Sequence, residues 1–317
     1  MKSQWISLSR REVHPRKNAR HRKTDDCKTA LTETQGDLEQ AVDWLRKKGL
    51  SKAAKKADRI AADGLIGVIA KGQSGAVVEV NSETDFVARN ETFQDLVRQI
   101  TSLAPSAGGS LEKLLGLTYP GKTTTVDEHV KEMIGTIGEN LSVRRTAALE
   151  VSEGLVASYV HNRVADGVGK IGVLVALQSK GSAEKLADVG RQLALHIAAA
   201  NPQAVDPSEL DATAIERERQ VYLEQARASG KSEDIIGKMV EGRLRKEYFG
   251  QVVLLQQVFM GPGGDGKITV EQFLEAEEKT VGAPMKVTRF VRYALGEGIE
   301  KTSGDFSDEV AKLVKGN

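Results

Sequence analysis

The sequence has little cysteine, few aromatic residues and no long apolar run. Its 317 residues include one cysteine, Cys27, which excludes an internal disulfide framework and suits a reducing compartment. No apolar stretch approaches the roughly 20 residues that a membrane-spanning helix needs. Aromatic residues make up 4% of the chain against 31 glycines. This balance favours helices and short turns over a large aromatic-lined enzyme pocket.

An excess of one charge is also missing. The chain has 45 Lys and Arg against 44 Asp and Glu, so it lacks the overall basic character of nucleic-acid-binding proteins, and no direct DNA contact is expected. The exception is residues 1–24, which carry eight Lys or Arg and one acid, Glu12. This segment can be a disordered basic arm, a transit peptide or a misassigned start. An RNA-binding arm is a further alternative, but aromatic residues other than Trp5 are missing, so RNA contact is not expected.

Residues 25–50 have the pattern of two short helices. The first ends near Gly36, and Asp37 is a good N-cap for the second, which Gly49 is expected to stop. The apolar face of the second helix consists of Leu38, Ala41, Val42 and Leu45. Two such helices bury little, so a third element or a partner is expected. Residues 51–63, rich in Ala, Lys and Arg, are interpreted as a linker.

The rest of the chain contains an internal duplication. Residues 64–69 resemble residues 154–159 at a spacing of 90, and residues 125–128 resemble residues 269–272 at a spacing of 144. Each copy begins with a predicted β-hairpin that leads into a helix, near residues 86–103 in the first copy and 183–200 in the second. The larger second spacing indicates an insertion near residues 211–261.

The insertion has the pattern of two charged helices with narrow apolar seams around a Ser229-Gly230 break. We therefore expect an antiparallel helical hairpin that projects from the body. Each copy is expected to form a three-stranded antiparallel sheet with helices on one face. The predicted fold class is α+β.

Residues 116–123 match the phosphate-loop pattern G-x-x-x-x-G-K-[ST], in which Lys122 and Thr123 would hold phosphate and magnesium. A nucleotide-binding protein is therefore an alternative function. The context argues against it, because residues 111–115 have a helical pattern where a buried strand should be. In the second copy, Asp265 would repel phosphate and Ile268 replaces the hydroxyl.

No residue pattern predicts a metal site, a cofactor or covalent catalysis. None of the five histidines pairs with another at metal-ligand spacing, and Cys27 is alone. His129 and His196 lie on helical segments and are expected to be partly buried structural residues. We expect no enzymatic activity.

The most informative segment lies where the first copy passes from strand to helix. Two interpretations of Thr84, Asp85, Phe86 and Val87 are open. Ser82 and Asp85 fit a capping-box pattern that would make Phe86 the first buried residue of the helix. Alternatively, Asp85 and Phe86 form an exposed wedge for another protein. The equivalent corner in the second copy, residues 178–183, has neither Asp nor Phe, which weakens the capping interpretation.

From about Asp26 to its C-terminus the chain resembles the elongation factor Ts family, the guanine-nucleotide exchange factors of elongation factor Tu. The resemblance is carried by residues 26–31, 36–41, 80–88, 137–140, 239–243 and 296–300. It implies an N-terminal helical ubiquitin-associated-like module, here with an atypical first helix, a duplicated α+β core with antiparallel sheets and an inserted antiparallel coiled coil.

The same resemblance implies the function and the site. The chain would bind GDP-bound and nucleotide-free elongation factor Tu in the cytoplasm and promote GDP release. Thr84, Asp85, Phe86 and Val87 would dislocate Mg²⁺ from that partner, with no cofactor or membrane involved. The expected segments are 1–24 (basic arm), 25–50 (partial module), 51–63 (linker), 64–151 (first core subdomain), 152–210 with 250–300 (second core subdomain), 211–249 (hairpin) and 301–317 (C-terminal segment).

Overall fold

The computed structural model describes residues 26–261 and 266–300. Within this part, the chain is an α+β protein with antiparallel sheets. It divides into two units: residues 26–57 with Lys131–Gly138, and residues 58–130 with the remainder from Glu139 onward. The predicted basic arm at 1–24 and the C-terminal segment at 301–317 lie outside the described residues.

The first unit begins with two helices, as predicted. Helix α1 covers residues 26–33, and α2 covers Leu38–Ala54. The Asp37 carboxylate accepts hydrogen bonds from the backbone N–H groups of Glu39 and Gln40, which confirms it as the N-cap.

The expectation that Gly49 stops α2 is wrong, because the helix continues to Ala54. A Cβ built on Gly135 would lie 3.3 Å from Gly49 Cα, so two backbones approach closely at this point. This approach favours glycine at Gly135 despite the intrinsic penalty of about 1 kcal/mol for glycine inside a helix, whereas a Cβ on Gly49 itself would meet no atom within 4 Å.

The second unit contains two sheets. The first has the order β3-β2-β1-β5, formed by Leu141–Glu150, Ser74–Ser82, Asp63–Lys71 and Val168–Gly169. The second has the order β4-β6-β7, formed by Gly154–His161, Ile171–Ser179 and Met285–Ala294. All pairings are antiparallel. The first copy contributes three strands to its sheet, as expected, and the two-residue β5 of the second copy adds a fourth, which is too short to produce a periodic pattern in the sequence.

Helices cover one face of each sheet. After the short helix α3 (Asp85–Ala88), helix α4 (Glu91–Ala107) buries the predicted Phe93, Leu96, Val97 and Ile100. Helices α5 (Leu111–Gly116) and α6 (Val126–Ile137) follow. In the second copy, α7 (Ala183–Ala200) and, further along, α10 (Val270–Val281) enclose an apolar core against β4, β6 and β7. The opposite faces of the two sheets share a smaller core that includes Ile66, Val77, Val156 and Leu174.

The duplication extends to local geometry. Thr125 and Thr269 each cap the following helix, with the side chains of Glu128 and Gln272 closing back onto the cap backbone. Each sheet also has a β-bulge in its last long strand pair, which leaves Arg144 and Thr288 as the extra residues. These two residues are separated by the same 144 positions as the two capping threonines.

The inserted hairpin consists of α8 (Ala212–Arg227) and α9 (Glu233–Arg243), which continues into a π-helical turn at Leu244–Phe249. Its seam is a small cluster of its own: Tyr222, Ala226, Ile236, Val240 and Leu244. Arg243 lies over the Tyr222 ring at 4.4 Å from the centroid and pairs with Glu247. The predicted antiparallel helical hairpin is thus present.

Among the residues that the structure describes, no helix has the length and the apolar composition of a membrane span.

Candidate functional site

The corner that contains Thr84, Asp85, Phe86 and Val87 lies between β2 and α3. Thr84 is the N-cap residue of α3, but its side chain makes no capping hydrogen bond. The Ser82 hydroxyl donates instead to the Thr84 carbonyl oxygen at 3.0 Å. Asp85 faces Arg89, with 3.8 Å between Oδ2 and Nη2. The predicted capping box of Ser82 and Asp85 is therefore wrong, because both side chains have other partners.

The four residues divide into an outward pair and an inward pair. Phe86 is 73% exposed and Asp85 is also exposed, whereas Val87 is buried, as is the following Ala88. The expectation that Phe86 begins the buried face is wrong, and Val87 has that role. Burying a Phe side chain is worth about 1.5–3 kcal/mol, and this chain does not gain that energy at Phe86. An aromatic ring held in water beside a carboxylate is suited to binding another molecule.

Helix α3 is separate from the long helix that follows. The N–H groups of Arg89 and Asn90 close the turn onto the Phe86 and Val87 carbonyl oxygens, at 3.2 and 2.9 Å. Asn90 then caps α4 by accepting a hydrogen bond from the Thr92 N–H at 2.9 Å. The predicted continuous helix from residue 86 is therefore interrupted at residues 89–90. This interruption is what lets Phe86 point away from the α4 core.

Two residues from beyond α6 hold the corner in place. The Glu139 carboxylate accepts two hydrogen bonds from Thr84, from the backbone N–H at 2.9 Å and from Oγ1 at 2.6 Å. Glu83 Oε1 accepts the Asn140 N–H at 2.5 Å, and Glu83 Oε2 lies 3.3 Å from Arg59 Nη1. Asn140 Nδ2 also donates to the Arg59 carbonyl oxygen at 2.7 Å.

No sequence pattern assigns a role to Glu139, Asn140 or Arg59. Glu139 is 55 positions from Thr84, and no local spacing indicates such a contact. Glu139 and Asn140 do belong to residues 137–140, one of the segments that carry the resemblance to the elongation factor Ts family.

The phosphate-loop match at residues 116–123 does not have phosphate-binding geometry. It follows helix α5 rather than a strand. The backbone N–H groups of Tyr119 and Lys122 donate to the loop's own carbonyl oxygens, of Thr124 and Tyr119. The start of α6 is capped by Thr125 and carries the Glu128 carboxylate, which would repel phosphate. In the second copy, Asp265 lies outside the described residues.

His129 and His196 have structural surroundings, as expected. His129 is buried and its ring lies against that of Tyr119, with 4.0 Å between the centroids and 40° between the ring planes. His196 is fully buried; its Nδ1 accepts from the Met260 N–H, so Nε2 donates to Gln257 Oε1 at 2.9 Å. Burial lowers the pKa of His196, although the Gln257 contact opposes the shift. In the described part of the chain, no three His, Cys, Asp or Glu side chains are grouped to hold a metal ion.

Comparisons with known proteins identify the family of this chain. The family model described as "Elongation factor TS" matches residues 83–297. The Elongation factor Ts of Parvibaculum lavamentivorans is 57% identical over 291 residues, which cover 92% of this chain and 93% of that protein. The proteins of the same name from Rhodospirillum centenum and Bartonella henselae are 55% and 54% identical, over 91% and 92% of this chain and 93% and 94% of those proteins. The chain therefore belongs to the elongation factor Ts family.

Proposed function

We propose that this protein binds GDP-bound elongation factor Tu and promotes GDP release by dislocating the Mg²⁺ of that partner, so that GTP can replace GDP. The observation that carries the proposal is the exposure of Phe86 beside Asp85 on a turn whose backbone is held by Glu139. Membership of the elongation factor Ts family supports it. We also propose a cytoplasmic location, because exchange has to occur where translation takes place.

In this mechanism the protein makes and breaks no covalent bond and is not an enzyme in that sense. Phe86 inserts beside the magnesium and phosphate region of the partner. The negative charge of the Asp85 carboxylate there competes with the groups that hold Mg²⁺. Exchange factor and nucleotide then weaken each other's binding by the same factor, since coupling between two ligands is reciprocal. For that reason GTP, once bound, ejects the factor.

The order of the corner makes insertion less costly. Immobilising a flexible side chain at an interface costs about 0.5–1.5 kcal/mol. Val87 and Ala88 are buried at 7% and 2% exposure and Glu139 holds Thr84, so both ends of the turn beneath Phe86 are already fixed before the partner arrives. More of the binding energy of the ring then remains available to displace Mg²⁺.

The test is the rate at which labelled GDP leaves elongation factor Tu in a stopped-flow experiment. Phe86→Ala should slow factor-dependent release at least about tenfold, as expected for loss of a central aromatic anchor worth about 2 kcal/mol. Asp85→Ala should slow it less, by about threefold to tenfold. Because both side chains are exposed, the free energy of unfolding should change by less than about 0.5 kcal/mol.

A matched control is Ile60→Ala, which shortens another exposed apolar side chain of the same unit. It should leave GDP release at the rate of the unmodified protein. If Phe86→Ala and Asp85→Ala also release GDP at that rate, the proposed wedge is wrong.

A further inference from the structure

The contact between Glu139 and Thr84 is unusually complete for a connection between two loops. One carboxylate accepts both the backbone N–H and the hydroxyl of the same residue, at 2.9 and 2.6 Å. Hydrogen bonds to an ionised acceptor are roughly twice as strong as neutral ones. Both residues are only partly exposed, so water competes weakly for the carboxylate. This pair therefore fixes both the main chain and the side chain at the first residue of the corner.

A second contact runs in the opposite direction beside the first. Glu83 accepts the N–H of Asn140, whereas Glu139 accepts the N–H of Thr84. Each segment thus supplies one carboxylate, from Glu83 or Glu139, and one backbone N–H, from the residue that follows it, to the other segment. This reciprocal pairing fixes the translation and the rotation of the corner relative to the segment that follows α6.

Local interactions alone would not hold Phe86 in one direction. Helix α3 is a single turn of four residues without a side-chain cap, and isolated turns of that length are unstable in water. The pair of Asp85 and Arg89 is exposed and 3.8 Å apart, which is worth little. Burial of Val87 and Ala88 anchors the C-terminal end of the turn, so the N-terminal end depends on Thr84.

We infer that Glu139 is a positioning residue for nucleotide exchange, which acts through Thr84 to set the direction of Phe86 before the partner binds. This inference rests on the proposed function. The second copy supports it by contrast. The residues 144 positions after Glu139 and Asn140 are Ala283, which has no carboxylate, and Pro284, which has no backbone N–H. That copy also has no exposed Phe at its corner.

The test measures GDP release from elongation factor Tu as a function of exchange-factor concentration. Glu139→Ala should lower the maximal rate about tenfold, because two charge-assisted hydrogen bonds are lost. The half-saturating concentration should change by less than about threefold, since the remaining contact surface is untouched. Glu139→Gln should recover most of the rate, because its amide can accept from the Thr84 N–H and donate to Oγ1.

A double-mutant cycle separates positioning from an independent role. In a Phe86→Ala background, Glu139→Ala should slow release by less than about twofold further, because the group that it positions is gone. Full additivity of the two effects would overturn the inference. A maximal rate for Glu139→Ala equal to that of the unmodified protein would also overturn it, as would a Glu139→Gln variant as slow as Glu139→Ala.

Two further variants keep the test decisive. Thr84→Val removes only the hydroxyl donor and should slow release less than Glu139→Ala, which provides a readout even if Glu139→Ala folds poorly. Glu278→Ala is the matched control, because its carboxylate accepts a backbone N–H, that of Met285, in the second copy. It should leave the maximal rate unchanged. If Phe86→Ala itself does not slow release, the proposed function fails; if only Glu139→Ala does not, the positioning role alone fails.

Discussion

The two strand-to-helix corners of the duplicated core begin alike and end differently. Gly64 and Gly154 start the hairpins with positive φ, where an added Cβ would meet the carbonyl oxygens of Val80 and Leu177, respectively. Each second strand then ends in a buried serine, Ser82 or Ser179. Ser82 donates to the Thr84 carbonyl oxygen, whereas Ser179 accepts from the Gly181 N–H at 3.1 Å.

Beyond these serines the first copy takes a longer path. Nine positions separate Ser82 from the first residue of α4, Glu91, but four separate Ser179 from the first residue of α7, Ala183. The additional residues form α3, whose exposed side carries Asp85 and Phe86. In the second copy, Ser182 follows almost at once and caps α7 directly. One scaffold thus builds a minimal corner in one copy and an extended corner with an exposed aromatic ring in the other.

The comparison predicts that the extension, and not the scaffold, promotes nucleotide release. Replacing residues 83–90 by the second copy's Lys180-Gly181-Ser182 should reduce factor-dependent GDP release to near the unassisted rate, a larger loss than that expected for Phe86→Ala. Far-UV circular dichroism should still show a folded protein, because the second copy closes the same corner with three residues. A folded chimaera with an unchanged release rate would show that the extension is dispensable.

The copies also differ in the strand that leads to the corner. Glu79 is fully buried at the position equivalent to Ala176. Its carboxylate accepts hydrogen bonds from Arg144, Arg145, Asn81 and the Gly296 N–H. Burial alone would raise the pKa of Glu79, but the Gly296, Arg145 and Asn81 contacts outweigh it and hold the pKa below the ordinary value. The first copy therefore contains a buried ionic cluster where the second has a methyl group.

Glu79→Ala, which introduces the residue of the second copy, should destabilise the protein by about 3 kcal/mol. It removes the buried carboxylate that pairs with Arg144 and Arg145, of which, among the described residues, only Arg145 keeps a second carboxylate contact, with the more exposed Glu297. Urea unfolding at pH 7 measures the change. Asp188→Ala, which breaks the exposed pair with Arg191, is the control and should change the free energy of unfolding by less than about 0.5 kcal/mol.

The loss of stability caused by Glu79→Ala should depend on pH. Since the folded-state pKa of Glu79 is depressed, its stabilising contribution is complete above the ordinary Glu pKa of about 4.3 and is lost as pH falls through the folded-state value. The stability difference between the unmodified protein and Glu79→Ala should therefore shrink on acidification below that range. A difference that stays constant from neutral pH to strongly acidic pH would contradict the role of the ionised carboxylate.

The sequence was informative where a signal is local or repeated. The duplication, the helical hairpin and the buried face of α4 follow from spacing and periodicity, and the structure contains all three. The segment 84–87 was also found as a unit. Its exposure is one of two interpretations that the sequence leaves open, because the apolar spacing of Phe86 also fits α4, and the cap at Asn90 that separates the two helices decides between them. The contact of Thr84 with Glu139 depends on tertiary folding, and no sequence pattern of either segment encodes it.

The smallest effect concerns the position in the second corner that is equivalent to Thr84. This residue is Gly181, which follows Ser179 by two positions as Thr84 follows Ser82. The backbone N–H of the next residue, Ser182, donates to the Val281 carbonyl oxygen at 2.9 Å. A Cβ added to Gly181 would lie 2.6 Å from that oxygen and 2.3 Å from Val281 Cγ1, so the backbone would have to move. Gly181→Ala should therefore destabilise the protein by about 1–2 kcal/mol, as for other overpacked sites.

The control for this change is Gly237→Ala in the hairpin, where an added Cβ meets no atom within 4 Å. It should be neutral or stabilising by up to about 1 kcal/mol, because alanine favours the helix more than glycine does. GDP release should be unchanged for Gly181→Ala, since the second corner carries no wedge. Equal urea midpoints for Gly181→Ala and the unmodified protein would mean that the second corner has room for a side chain. The close contact between Gly181 and Val281 would then not explain why the second copy has glycine where the first copy has Thr84.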